Sequence, residues 1–270
     1  MTGLPTSASG RGAEQVARLC AEEAGRIIMD RFGQREERLA KGRGNFTTET
    51  DLAVETAVLE RLRTEYPEHA VLSEETSGGV TDWQSGWLWV VDPLDGTHNY
   101  SQGIPTFSFT IALCHDGEPV LGLTYAPVTS EEFFAVKGNG LTVNGEPASA
   151  SATPSLAQSV LGLDLGYDDS RAAKLLSLLT ELWPGVQSVR VMGSAALGLA
   201  FAACGRFDVF VHNFLFPWDL AAGILLVQEG GGLILDREGG SVTIYSQGII
   251  AGSPGAARDF LRLARDRPWR

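Results

Sequence analysis

The chain has 270 residues, enough for one large domain or two closely packed halves with a substantial core. Hydrophobic residues make up 44% and charged residues 20%, as in ordinary globular proteins, and the 32 glycines point to many tight turns or close backbone approaches. A formal net charge of −12 argues against a general nucleic-acid binder, which carries a basic face. It does not exclude an anionic substrate, because cations held by clustered carboxylates reverse the local field.

Residues 1–12 are small and polar, with neither a basic start nor an apolar run, and read as a disordered tail and not a signal peptide. From Ala13 to about Phe32, Val16, Leu19, Cys20, Ala24, Ile27 and Ile28 follow helical spacing. A polar, glycine-containing stretch from Lys41 to Thr48 precedes a second helix, expected from Asp51 to Thr64 and ended by Tyr66-Pro67. Gly86–Val91, Phe107–Cys114, Val120–Tyr125 and Glu132–Val136 read as strands, and Asn144-Gly145 as a hairpin turn.

Beyond residue 150 strands and helices alternate. Ser159–Leu163, Val186–Val191 and Val209–Val211 read as strands. Arg171–Leu182, Ser194–Cys204 and Pro217–Glu229 read as helices, the last stopped by Gly230-Gly231-Gly232. A strand-rich α+β first half (13–145) and an α/β second half (146–270) suggest a layered sandwich.

Cys20, Cys114 and Cys204 are isolated, which fits reduced core thiols and a cytoplasmic protein. No apolar run approaches the roughly 18 residues of a membrane span.

The chemistry concentrates in Trp89–Tyr100, WVVDPLDGTHNY, where an apolar strand ends in Asp92, Asp95, Gly96 and Thr97. Two carboxylates at a strand end can hold hard cations through oxygen. Gly96 permits close approach of a ligand, and a helix starting near Thr97 would turn N–H groups toward a phosphate. Taken singly, each residue has a plainer reading: a turn at Asp-Gly-Thr, a solvated acidic turn at Glu74-Glu75, a first-turn acid at Asp219, a helix cap at Asp51.

Taken in order, the segments NFTTETD (Asn45–Asp51), LSEET (Leu72–Thr76), WVVDPLDGT and FPWDLAAGILLVQEGGG (Phe216–Gly232) resemble the inositol monophosphatase family, lithium-sensitive phosphatases related to fructose-1,6-bisphosphatase. The resemblance implies an αβαβα sandwich, two or three Mg2+ ions, a small phosphorylated polyol or sugar as substrate, and a homodimer. It implies that Glu74, Asp92 and the Leu94 carbonyl hold a first metal, and Asp92, Asp95 and Asp219 a second, with Glu74 supporting a third through water. Most ligands then fall in the first half and Asp219 in the second. Thr97, oriented by Asp51, would work with Glu74 to position and deprotonate the attacking water, while Gly96 and Thr97 cradle the phosphate.

Two positions depart from the family pattern: Asn45 replaces the first acid of its motif, and His212 stands where inositol monophosphatases commonly place a Glu that accepts inositol hydroxyls. A neutral His can accept one hydrogen bond and donate another, so the resemblance predicts a broader substrate range; packing alone is the other reading. Gly193, Ser194 and Ala195 resemble the family's sugar-contacting turn, and Ser194 also suits a helix N-cap. Lys41, Arg43 and Arg190 could attract phosphate. Inositol 1-phosphate is the leading substrate. Fructose 1,6-bisphosphate, 3′-phosphoadenosine 5′-phosphate and histidinol phosphate share the chemistry, and a noncatalytic binding protein would have lost a metal carboxylate or Thr97.

Overall fold

A computed structural model describes residues 3–42, 44–76, 83, 85–267 and 269. The first helical pattern becomes α1 (Ala13–Arg31). A hairpin of β1 (Arg38–Gly42) and β2 (Asn45–Thr48) leads into α2 (Glu49–Glu65). After β3 (Ala70–Ser73), β4 (Trp87–Asp95) and the short α3 (Thr97–Ser101) come β5 (Ser108–His115), β6 (Glu118–Ala126) and β7 (Glu131–Val136). The first sheet ends with β8 (Leu141–Val143) and β9 (Glu146–Ala148) around the expected Asn144-Gly145 turn. These strands form one seven-stranded sheet in the order β3-β4-β5-β6-β7-β8-β9, antiparallel except for the β3–β4 pair.

The second half runs β10 (Val160–Asp164), α4 (Asp169–Leu182), β11 (Ser188–Val191), α5 (Ala195–Ala203) and β12 (Val209–His212). It ends with α6 (Pro217–Glu229), β13 (Leu233–Asp236), β14 (Ile249–Gly252) and α7 (Pro254–Ala264). Its five-stranded sheet has the order β11-β10-β12-β14-β13, with β10 parallel to both neighbours.

The layers follow from where alternate side chains go. On β4, Trp89 and Val91 pack with α1 and α2, while Leu88 and Val90 face the other way, toward α5 and α6. Both faces of this strand are buried, so it reads as an unbroken apolar run. α6 is apolar nearly all round because it lies between the two sheets: its buried residues share one core with Ala112 of β5 and with Phe210 and Ala251 of β12 and β14. α4 and α7 cover the outer face of the second sheet, against Leu161, Leu163, Val209, Val211 and Ile250. The expected αβαβα sandwich is what results.

Three expectations need correction. Residues 7–11, assigned to a disordered tail, close a turn on α2. Ser7 Oγ donates to Glu65 at 2.6 Å, and Arg11 Nη1 pairs with the same carboxylate at 2.8 Å. The anchor lies far along the chain, where local composition carries no trace of it. The polar stretch from Lys41 to Thr48 is part of the β1–β2 hairpin, whose strand β1 is exposed throughout and so lacks an apolar pattern. The first sheet also runs on to Ala148, beyond the expected division at residue 145.

Helix α6 meets the first sheet backbone to backbone at Gly122 of β6, where a Cβ would lie 2.9 Å from the Ala222 carbonyl oxygen. Backbone cannot yield as a side chain can, so Gly122→Ala is expected to cost about 1–3 kcal/mol, seen as a lowered Tm. Gly42→Ala, with nothing within 4 Å of the added atom, is the control. Equal melting of both variants would mean that the two layers separate without cost.

Candidate active site

The ends of β4, β10 and β12 and the starts of α3, α5 and α6 converge on one cavity of about 390 Å³. Gly96, Thr97, Gly193, Ser194, Ala195 and His212 line it, together with the carboxylates Asp95 and Asp219. Asp92 lies buried beside these acids. One carboxylate oxygen from each of Asp92, Asp95 and Asp219 lies within 4.8 Å of the other two. Burial first, then the charge of Glu74, pushes Asp92 and Asp219 well above the ordinary carboxylate range.

Each acid is held so that coordinating capacity remains. Asp92 Oδ1 accepts from Leu94 N at 3.0 Å. Asp219, in the first turn of α6, accepts from Phe216 N through Oδ2 at 2.7 Å. Asp95 is gripped hardest: Oδ2 accepts from the Ser194 and Ser108 hydroxyls and from Ala196 N, while Oδ1 accepts from Ala195 N. Burial raises the Asp95 pKa, and these donors oppose the rise. Ser194 is also the N-cap of α5, as its capping reading expects. Two buried acids and the half-buried Asp219, with spare oxygens, repel one another unless a cation joins them, and an all-oxygen set suits a hard divalent ion. The donor set therefore fits a hard divalent cation.

Glu74 is half-buried at the edge of this cluster, and its Oε1 is paired with Lys41 Nζ at 2.9 Å. Lys41 also holds Glu75 at 2.6 Å, so this cation is engaged by acids. Arg43 lies outside the described residues. Arg190 is spent on its own strand, donating to the Val189 carbonyl and the Ser188 hydroxyl. His98 meets the Gly44 carbonyl at 2.6 Å and stands edge-on to Phe46, so it braces the hairpin against α3.

Thr97 opens α3 after Gly96, whose φ is 88°. A Cβ at Gly96 would meet the Gly193 carbonyl at 3.0 Å and the Thr106 carbonyl at 3.1 Å, so only glycine brings these loops together. Thr97 Oγ1 lies 3.0 Å from Asp51 Oδ1 and 3.0 Å from the Leu94 carbonyl. The hydroxyl has one proton and can serve one acceptor at a time. Asp51 sits in the first turn of α2, not at its cap: Thr48 is the N-cap, and its backbone N–H donates to Asp51 Oδ2 at 2.8 Å. Burial raises the Asp51 pKa to about 7.

His212 is buried on β12, and its Nδ1 accepts from Phe214 N at 3.1 Å. Burial lowers its pKa to about 3, so the ring is neutral and its proton resides on Nε2. The acceptor that the sequence reading left open is thus already used, and the ring offers the cavity a donor.

Sequence reasoning missed Asp164, Tyr167 and Phe214, all in the cavity wall, and Asn99, whose amide bridges the Thr106 carbonyl at 2.7 Å and the Met192 carbonyl at 2.8 Å. The signal for Asp164 was available: like Asp92, it is an acid that ends an apolar strand.

The model of the inositol monophosphatase family matches residues 13–267. The chain belongs to the inositol monophosphatase family. It is accordingly a phosphoric monoester hydrolase of a metal-dependent family, acting on small phosphate monoesters. The inositol monophosphatase of Dictyostelium discoideum is 36% identical over 252 residues, covering 92% of this chain and 93% of its own. The extragenic suppressor protein suhB of Bartonella henselae superposes with a TM-score of 0.87 at 32% identity, over 94% of this chain and 98% of its own. SaIMPase-II of Staphylococcus aureus, solved with inositol monophosphate bound, superposes at 0.78 with 27% identity, over 94% and 92% of the two chains. The same protein has been solved with 2′AMP bound. No helix among the described residues is long and apolar enough to cross a membrane.

Proposed function

We propose that the chain hydrolyses inositol 1-phosphate to inositol and phosphate with magnesium. The observation that carries this is the juxtaposition of Asp92, Asp95 and Asp219 with Thr97, which lines the cavity and has Asp51 buried behind it. Inositol monophosphate in SaIMPase-II supports a phosphorylated polyol as the substrate class. In this reading Asp92, Asp95, Asp219, Glu74 and the Leu94 carbonyl hold two or three ions. Magnesium held there would supply a lowered pKa for a water and stabilisation of charge on the attacking and leaving oxygens.

The remaining steps belong to the chain. Thr97 donates its proton to Asp51 and turns its lone pairs to the attacking water, which aligns that water and draws off its proton. Asp51, with its pKa near neutrality, can take up that proton. Glu74 assists once Lys41 releases it. Gly96 and Thr97 N–H groups receive the phosphate oxygens, and the Gly193-Ser194-Ala195 turn and His212 face the alcohol that leaves. The family resemblance adds a homodimer and a cytoplasmic setting to the reading.

A phosphate-release panel with magnesium tests the assignment. Inositol 1-phosphate is expected to give the highest kcat/KM among itself, fructose 1,6-bisphosphate, 3′-phosphoadenosine 5′-phosphate and histidinol phosphate. A higher value for any of the other three would transfer the assignment to that substrate.

A further inference from the structure

Asp164 ends β10 and His212 ends β12, and the two are direct partners in the parallel register. Both are buried, and both line the cavity that holds the metal carboxylates. Their hydrogen bonding is half used. Asp164 Oδ1 accepts from Met192 N at 3.0 Å and from Gly193 N, which ties the Gly193 turn to β10. Oδ2 of the same carboxylate is buried with no hydrogen-bond partner among the described residues. An unpaired buried oxygen costs free energy, and most such atoms in native proteins find a partner. On the next strand the His212 Nδ1 is taken by Phe214 N, which leaves Nε2–H as a donor.

An acceptor on one strand and a donor on its neighbour match adjacent alcohol groups, each of which can give and receive one hydrogen bond. An apolar leaving group would leave the carboxylate oxygen unpaired, and sites with buried polar groups reject such analogues.

We propose that Asp164 is a specificity-determining residue, its Oδ2 accepting a hydrogen bond from a ring hydroxyl of a polyol or sugar phosphate while His212 Nε2–H donates to a neighbouring oxygen. The carboxylate that His212 does not provide is thereby supplied from the adjacent strand. The proposal rests on the phosphatase reading above.

Asp164→Asn is the sharpest variant, since the amide keeps an oxygen for the Met192 and Gly193 N–H groups and replaces only the free one. The measurement is kcat/KM, with magnesium, for inositol 1-phosphate and for 4-nitrophenyl phosphate, whose leaving group has no ring hydroxyls. The ratio of the two is expected to fall about tenfold or more, chiefly through KM of the inositol ester. Monodeoxy inositol 1-phosphates complete the cycle: removing one particular hydroxyl should cost the wild-type protein about tenfold and the variant far less. An unchanged ratio, or equal losses on both substrates, would reduce Asp164 to a tie for the Gly193 turn. If the variant proves unstable, the wild-type protein decides alone: no single hydroxyl whose removal costs more than about twofold overturns the proposal. Failure of the wild-type protein to hydrolyse even 4-nitrophenyl phosphate would sink the phosphatase reading itself and is distinct from either result.

Discussion

Stripping divalent cations from the protein is expected to abolish phosphate release, and magnesium to restore it. Asp92→Asn should lose more than the roughly 100-fold typical of residues that merely support metal ligands. Asp92 is buried among Asp95, Asp219 and Glu74, and its carboxyl is raised by burial and by their charges. The same electrostatics set a pH dependence. Asp92 and Asp219 have folded-state pKa values above their unfolded ones. The metal-free fold therefore binds extra protons and gains stability as pH falls through those raised values. The metal-bound form needs the acids ionised and gains nothing. The rise in Tm on adding magnesium should accordingly be largest above those raised values and shrink as pH falls through them. Buried His212, whose pKa is lowered from 6.5 to about 3, destabilises both forms as pH falls through that window, so it cancels in the difference. A magnesium increment independent of pH, or full turnover after verified chelation, would remove the metal site from the carboxylate cluster.

Thr97→Ala is expected to cut kcat by about 10²–10⁴-fold with little change in Tm, the range of acid–base machinery. The hydroxyl contacts Asp51 Oδ1 and the Leu94 carbonyl, each at 3.0 Å, and both acceptors keep other surroundings when it is removed. Thr97→Ser should recover most of the rate, because it returns the hydroxyl without the methyl. Asp51→Asn separates two roles. It should slow turnover in the same range and leave stability nearly unchanged, because the amide oxygen can still receive the Thr48 backbone N–H at the start of α2 while the charge that takes up a proton is gone. Wild-type rates in both Thr97→Ala and Asp51→Asn would dismiss the relay.

The part of the site legible in the sequence is the part that is local. Asp92, Asp95, Gly96 and Thr97 are near neighbours at the end of one apolar strand, so their spacing alone implied a ligand-facing turn. Asp219 is different. By itself it reads as an acid in the first turn of a helix, which it is, and only the ordered motifs of a family tied it to Asp92. Glu74 was legible as an acid near the site, but its pairing with Lys41 depends on strand β1, which is exposed and has no apolar pattern to read. The tail was misread for a related reason: Ser7 and Arg11 are anchored on Glu65, far along the chain.

Elements with a local signal were readable from the sequence, whereas β1, β2, β3, β13, β14 and α7 were not. Apolar period, capping residues and glycine stops act between residues a few positions apart, so α1, β4, α6 and the Asn144-Gly145 hairpin could be read directly. The tertiary structure alone decided which strand ends share a cavity. That depends on sheet order, and the order β11-β10-β12 is what sets Asp164 beside His212. It also decided what each polar atom has left to offer. His212 lost its acceptor to the backbone of Phe214, and Asp164 kept an oxygen free, because hydrogen-bond capacity is fixed by neighbours in space and not along the chain.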